Sequence, residues 1–390
     1  MRVRPRLILA LLALLLLTSC TDAARPAEPR ASLSVAEALG APADLRFARA
    51  LQPRQFSFPA DHGPHPEFAA EWWYYTGNLK TSAGRQFGFQ LTFFRFGLTP
   101  APVERSSAWA ASNIYMAHFA VTDVADGQFY AFERFSRGAA GLAGAQGDPF
   151  QVWLEDWRAD GSGPDGTPMR LQAKQGDVAI DLTLQAGKPA VLQGDQGLSQ
   201  KSAEPGNASY YYSLTRMPTS GSVQTAAGTF EITGLAWMDR EWSTSALAAN
   251  QLGWDWFALQ LDDGTELMYY RLRLRDGSDD PYSKGVLIGQ DQQLIALARD
   301  EVQIEVSEHW RSPAGTEYPS KWRLRASKVG LDLLITPLIP NQELALTVGY
   351  WEGAVQLSGT VAGRSVSGNG YVELTGYSTQ GSSEAHARGQ

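Results

Sequence analysis

The chain has 390 residues, with 33 Lys and Arg against 41 Asp and Glu, 44% hydrophobic residues, 11% aromatic residues and 38 glycines. That length exceeds what one hydrophobic core normally organises, so two domains are expected. A net charge of −8 argues against nucleic acid as a partner and against charge-driven docking on anionic lipid.

The first residues read as an address, not as part of the fold. Arg2, Arg4 and Arg6 precede an unbroken apolar run from Leu7 to Leu17. As a helix that run is too short for roughly 30 Å of hydrocarbon, which makes it the core of a signal peptide over 1–19. Leu17-Thr18-Ser19-Cys20 resembles the lipobox of bacterial lipoproteins, and Cys20 is the single cysteine of the chain. The resemblance implies lipidation at Cys20, with a membrane tether through that N-terminal lipid. Thr21, not Asp, follows the cysteine, so the expected location is the periplasmic side of the envelope, as an outer-membrane lipoprotein. No cysteine remains for a disulfide or a thiolate site.

Residues 20–55 are rich in Ala, Pro and Arg and read as a linker, with a capping-box start for one short helix at Ser34-Val35-Ala36-Glu37. Ordered structure is expected from Phe56. Short strands separated by Gly, Asp and Pro then follow, with no long helical period, which predicts an all-β protein. A first β-barrel domain is placed at 56–245 and a second at 246–378, with a flexible tail at 379–390. Gly194 to Asn207 breaks the strand pattern and is expected to form a lid or rim loop.

Glu71-Trp72-Trp73-Tyr74-Tyr75-Thr76-Gly77-Asn78-Leu79 is the most unusual strand. Alternation puts Trp72 and Tyr74 on one face and Trp73 and Tyr75 on the other. Large rings on both faces fit a strand buried on both sides, or one that covers a ligand on one of them. The rings near 72–75 and 237–242 are expected to converge on one hollow.

The second cluster is Trp237-Met238-Asp239-Arg240-Glu241-Trp242. In a strand, Trp237, Asp239 and Glu241 share a face. A carboxyl in a ring-lined pocket is harder to ionise and can stay protonated near neutral pH, ready to protonate an alkene or a carbonyl. The alternative is that Asp239 and Glu241 pair with Arg240, Arg216 or Arg95 and only hold strands together. His62 and His65 lie in the turn before the aromatic strand, beside Glu67 and Glu71. His65 and Glu71 are read as lining the pocket mouth or bonding the strand, and neither is read as a metal ligand. His118 sits in mid-strand, either facing a lumen or hydrogen-bonded in the core. No Gly-x-Ser-x-Gly elbow, phosphate loop or His-Glu-x-x-His motif occurs, and no metal or other cofactor is expected.

Asp61-His62-Gly63-Pro64-His65-Pro66 running into Glu71 to Leu79 resembles the opening signature of the AttH-like proteins, secreted lipocalin-like proteins related to bacterial carotenoid hydratases. Trp237 to Ser243, Trp256 to Arg271, Tyr350 to Val355 and Gly370 to Tyr377 resemble its later signatures. The resemblance covers about 56 to 378. It implies two calycin-type β-barrels packed together, with a hydrophobic cavity in at least one. The hydratase branch adds water to a terminal alkene of an acyclic carotenoid, and its Asp and Trp match Asp239 and Trp242. Where that branch has His before the Asp, this chain has Met238. Members of the family often accompany an ABC exporter, which implies a role in lipid or lipoprotein trafficking.

Two functions follow. The favoured one is an envelope lipoprotein that binds an elongated hydrophobic molecule or lipid, with Trp72, Trp73, Tyr75, Trp237, His65, Glu71 and His118 as ligand-binding residues. The other is a cofactor-free hydratase or isomerase with Asp239 as acid and Glu241 and Trp242 beside it.

Overall fold

The computed structural model describes residues 46–377, except 101–106, 108 and 246, together with the backbone of a two-residue strand at Leu33–Ser34. The signal peptide, Cys20 and the tail from 378 lie outside the described residues.

The period-two segments all become antiparallel strands, and they build two large sheets. The first contains strands between residues 70 and 243, in the order 128–137, 113–123, 86–97, 70–80, 228–243, 208–225, 178–184, 169–175, 157–161, 150–154, 143–147. The second contains strands between 251 and 374, in the order 294–298, 284–288, 266–274, 251–261, 364–374, 348–361, 331–337, 317–326, 303–311. Leu33–Ser34 pairs in parallel with Val348 and Gly349 at the second sheet. The protein is all-β, and the second sheet is nearly closed as a barrel.

Each sheet curls around its own core. In the first, Trp73, Tyr75, Phe89, Leu91 and Phe119 are fully buried. Phe119 meets Trp157 at 5.5 Å, joining strands far apart in the sheet order. In the second, Phe257, Trp322 and Trp351 pack together, with centroid separations of 6.0 and 6.2 Å. Apolar burial of this kind is the main favourable term in folding.

A further apolar layer lies between the sheets, where Tyr74, Tyr211 and Trp237 of the first meet Trp256, Met268, Tyr270, Ala354 and Tyr371 of the second. The sheets approach closely at Gly88, where an added Cβ would come within 2.7 Å of the Ala354 Cβ. Polar ties cross the same seam. Asn78 donates to the Gly370 carbonyl at 2.9 Å, and Gln260 donates to the Thr215 and Ala236 carbonyls at 2.7 and 3.1 Å.

Two expectations change. Order begins before Phe56, because Phe47 and Ala50 are buried, the Ala48 N–H donates to the Glu67 carbonyl at 2.8 Å, and Thr244 caps the Ala48 carbonyl. Leu33–Ser34 is strand, its backbone paired with the second sheet, and the short helix expected after Ser34 would fall in 35–45, which lie outside the described residues. Within Gly194 to Asn207, Leu198–Gln200 is pinned to the strand 208–225, and Val191–Leu192 just before it is pinned to the same strand.

Candidate functional site

The first sheet presents two adjacent rungs to the second. One runs Ser213, Asp239, Tyr74, Thr92, and its neighbour runs Tyr211, Glu241, Trp72, Phe94. Antiparallel register creates these rungs, since residues directly opposite point to the same face. The second sheet answers with the rung Glu352, Glu373, Trp256, Tyr270.

Between them is an open cleft with about 1000 Å³ of space free of protein atoms, open solvent at its mouth included. Trp72, Tyr74, Phe94, Tyr211, Trp254, Trp256, Tyr270 and Tyr350 supply its aromatic walls, and Asp239, Glu241, Glu373 and Lys201 supply its charged groups. The hollow therefore lies between the two barrels, not inside either.

Asp239 is the best-defined polar group. Its Oδ2 accepts from the Tyr211 hydroxyl at 2.6 Å, and its Oδ1 accepts from Ser213 at 2.5 Å and from the Trp237 indole at 2.7 Å. Trp256 donates to the Tyr211 hydroxyl at 3.1 Å, so the Tyr211 proton points at the carboxyl. Burial pushes the Asp239 carboxyl up to about 7, against the three donors that favour its ionised form. Asp239 takes part in no ion pair among the described residues, whereas Glu241 pairs with Lys201 at 3.1 Å.

Glu373 accepts from the Trp254 indole at 2.8 Å, and burial pushes its carboxyl up to about 8. Beside it, Glu352 is fully buried and accepts from the Tyr74 hydroxyl at 2.6 Å. Burial, reinforced by Glu373, raises its carboxyl well above the usual range.

The sequence-selected residues separate by parity. Trp72, Asp239 and Glu241 line the cavity, and Trp237 reaches it through Asp239. Trp73 and Tyr75 point the other way, into the core of the first sheet, so the expected convergence of all four rings does not occur. Trp242 likewise faces away from Asp239, packed with Phe56, Tyr210 and Tyr212 and stacked on His65 at 3.7 Å.

Glu71 and His65 belong to a buried ionic knot on that far face. Glu71 pairs with both Arg95 and Arg240 and accepts from the His65 N–H at 3.1 Å. His65 also contacts Asp61 at 3.0 Å. The proposed pairing of Asp239 with Arg240, Arg95 or Arg216 is therefore replaced. The first two arginines serve Glu71, and Arg216 serves Glu266. His118 is buried on the seam side, 2.8 Å from the Tyr350 hydroxyl, next to Thr92 in register. It is a hydrogen-bonded histidine one residue removed from the cavity wall.

Sequence reasoning missed Tyr74, Lys201, Tyr211, Trp254, Trp256, Tyr270, Tyr350, Glu352 and Glu373. The aromatic pair Trp254 and Trp256, at the same spacing as Trp72 and Tyr74, was the one local signal for the second wall. No group of three or more His, Cys, Asp or Glu able to hold a metal ion occurs among the described residues.

Among solved structures, the chain is similar to an AttH protein from Nitrosomonas europaea, 33% identical with a TM-score of 0.75, over 85% of this chain and all of that one. It shares its fold with kievitone hydratase from Nectria haematococca, at 17% identity and a TM-score of 0.63, over 85% of this chain and 98% of that one. A curated sequence relative is kievitone hydratase from Fusarium solani subsp. phaseoli, 24% identical over 213 residues, which is 53% of this chain and 59% of that relative's length. The model of the family described as AttH-like matches residues 49–377, and the chain belongs to that family.

Proposed function

We propose that the seam cavity takes up an elongated apolar alkene and that the protein adds water across its double bond, or removes water in reverse, without a cofactor. The observation that carries this reading is Asp239: a buried carboxyl in no ion pair among the described residues, held by three donors in the wall of an aromatic slot. A carboxyl that keeps its proton near neutral pH is suited to protonate an alkene carbon. The cation formed at the neighbouring carbon would lie among the faces of Trp72, Trp254 and Trp256, which favour positive charge. Water then bonds to that carbon and its surplus proton passes to a carboxylate of the site. The sum is alkene plus water giving alcohol. The relatives named as hydratases support the same class of chemistry.

The test is incubation with an acyclic carotenoid or with kievitone in detergent micelles, in oxygen-18 water, followed by mass spectrometry. The expected result is an alcohol carrying the heavy oxygen, formed by the native protein and lost in Asp239→Asn. Native protein that forms no alcohol yet retains either compound through gel filtration would favour a carrier instead, since the aromatic walls alone are enough for binding. In both readings the protein works exported and tethered through Cys20. A carrier would hand its cargo to or from a membrane exporter.

A further inference from the structure

Carboxyl residues taken out of water beyond the Asp239 wall differ in how their charge is met. Glu71 is matched by Arg95 and Arg240, Asp255 by Arg271 and Arg273, and Glu266 by Lys188 and Arg216. Glu352 and Glu373 are in no ion pair among the described residues. A buried charge without a counter-charge is costly, and removing the proton from both of two adjacent carboxyls is costlier still.

Glu352 and Glu373 are directly opposite one another on the antiparallel strands 348–361 and 364–374, which sets their Cβ atoms about 4.5–5.5 Å apart. One oxygen of Glu352 is taken by the Tyr74 hydroxyl, while Oε2 is buried without a hydrogen-bond donor. An ionised oxygen there would be left unsatisfied, whereas a protonated one is itself a donor, and Glu373 is the acceptor in register with it. Glu373 alone of the two reaches the cavity wall, opposite Asp239 across the slot.

We propose that Glu373, backed by a proton held on Glu352, is the base that takes the proton from the attacking water, and that proton and hydroxyl therefore arrive from opposite walls. Glu241 is the competing candidate, but it is on the same strand and face as Asp239 and is already engaged by Lys201. With Asp239 on one sheet and Glu373 on the other, a flat alkene in the slot receives its proton on one face and its oxygen on the other. Asp239 loses a proton to carbon, the water oxygen bonds to the adjacent carbon, Glu373 gains the water proton, and exchange with solvent restores both carboxyls. This rests on the hydratase reading and adds to it a second catalytic residue and an anti geometry.

The pair is read without turnover by infrared spectroscopy of protein carrying carbon-13 in its glutamate carboxyls, above pH 8, where Glu373 has shed its proton. The expected result is a protonated-carboxyl band that moves with the label and is lost in Glu352→Gln, while Asp239→Asn leaves it in place. Absence of a label-sensitive band in the native protein overturns the shared proton. The base role is read by binding of N,N-dimethyldodecylamine, whose ammonium mimics the cation, against dodecanol. Glu373→Gln should weaken the amine about tenfold or more, since a hydrogen bond to a charged group contributes about 1.5–3 kcal/mol, and leave dodecanol unchanged. Equal losses for both probes, or none, overturn the role of Glu373 while the hydratase reading stands. Native protein that binds neither probe overturns both.

Discussion

The Trp256 indole, on the second sheet, donates to the Tyr211 hydroxyl on the first at 3.1 Å, and that hydroxyl in turn donates to Asp239 at 2.6 Å. The orientation of a group on one barrel is thus fixed from the other. Tyr211 favours the ionised form of Asp239. Replacing it in Tyr211→Phe should raise the carboxyl further and move the alkaline limb of water addition up by about one to two pH units, the equivalent of one hydrogen bond to a charged group. Rate against pH for the two proteins measures the shift.

The native pH profile should be bell-shaped. A donor that needs its proton fails as pH rises through about 7, and a base that must shed one improves as pH rises through about 8. Activity should therefore peak between these values. Glu373→Gln should remove the acid limb and Asp239→Asn should abolish the reaction over the whole range.

Neighbouring tryptophans should behave oppositely. Trp73→Ala empties a fully buried site in the first core and should cost about 3–5 kcal/mol in urea unfolding. Trp72→Ala removes a cavity wall, so ligand affinity should fall with much less change in the unfolding midpoint.

The ionic knot is a stability element with a defined pH response. Burial disfavours the Glu71 charge, but Arg240 and Arg95 overcome this and hold its carboxyl far below the usual carboxylate range. Its contribution is complete above its unfolded value of 4.5 and declines as pH falls below it. Burial lowers His62 from 6.5 to about 4, so its contribution is complete above 6.5 and is lost as pH falls through that window. Unfolding free energy should drop below pH 4.5, whereas between 4.5 and 6.5 the loss at His62 is opposed by proton uptake at Asp239, Glu352 and Glu373, whose raised carboxyls favour the folded state as pH falls. Glu71→Gln, which strands two buried guanidinium groups, should cost about 3–5 kcal/mol at neutral pH.

Local periodicity made much of this legible. Alternation assigned Trp72 and Tyr74 to one face and Trp73 and Tyr75 to the other, as the structure has it. The same rule puts Trp242 opposite in parity to Asp239. Grouping the two followed family resemblance, and the strand geometry separates them. The second wall was not readable. Glu352 and Glu373 meet through cross-strand register, and Tyr74 reaches Glu352 across 278 residues of sequence. Neither relation leaves a trace in any short window. His65 and Glu71 looked like site residues because buried charge near aromatics is shared by active sites and structural knots, and only the two arginines distinguish them.

The close approach at Gly88 and Ala354 has a bearing on how such a protein can diverge. Because the slot belongs to neither half of the chain, its width is set by how the halves dock, and a bulkier residue at that contact would change guest size without touching any group that does chemistry. New specificities can thus arise at a contact that does no chemistry.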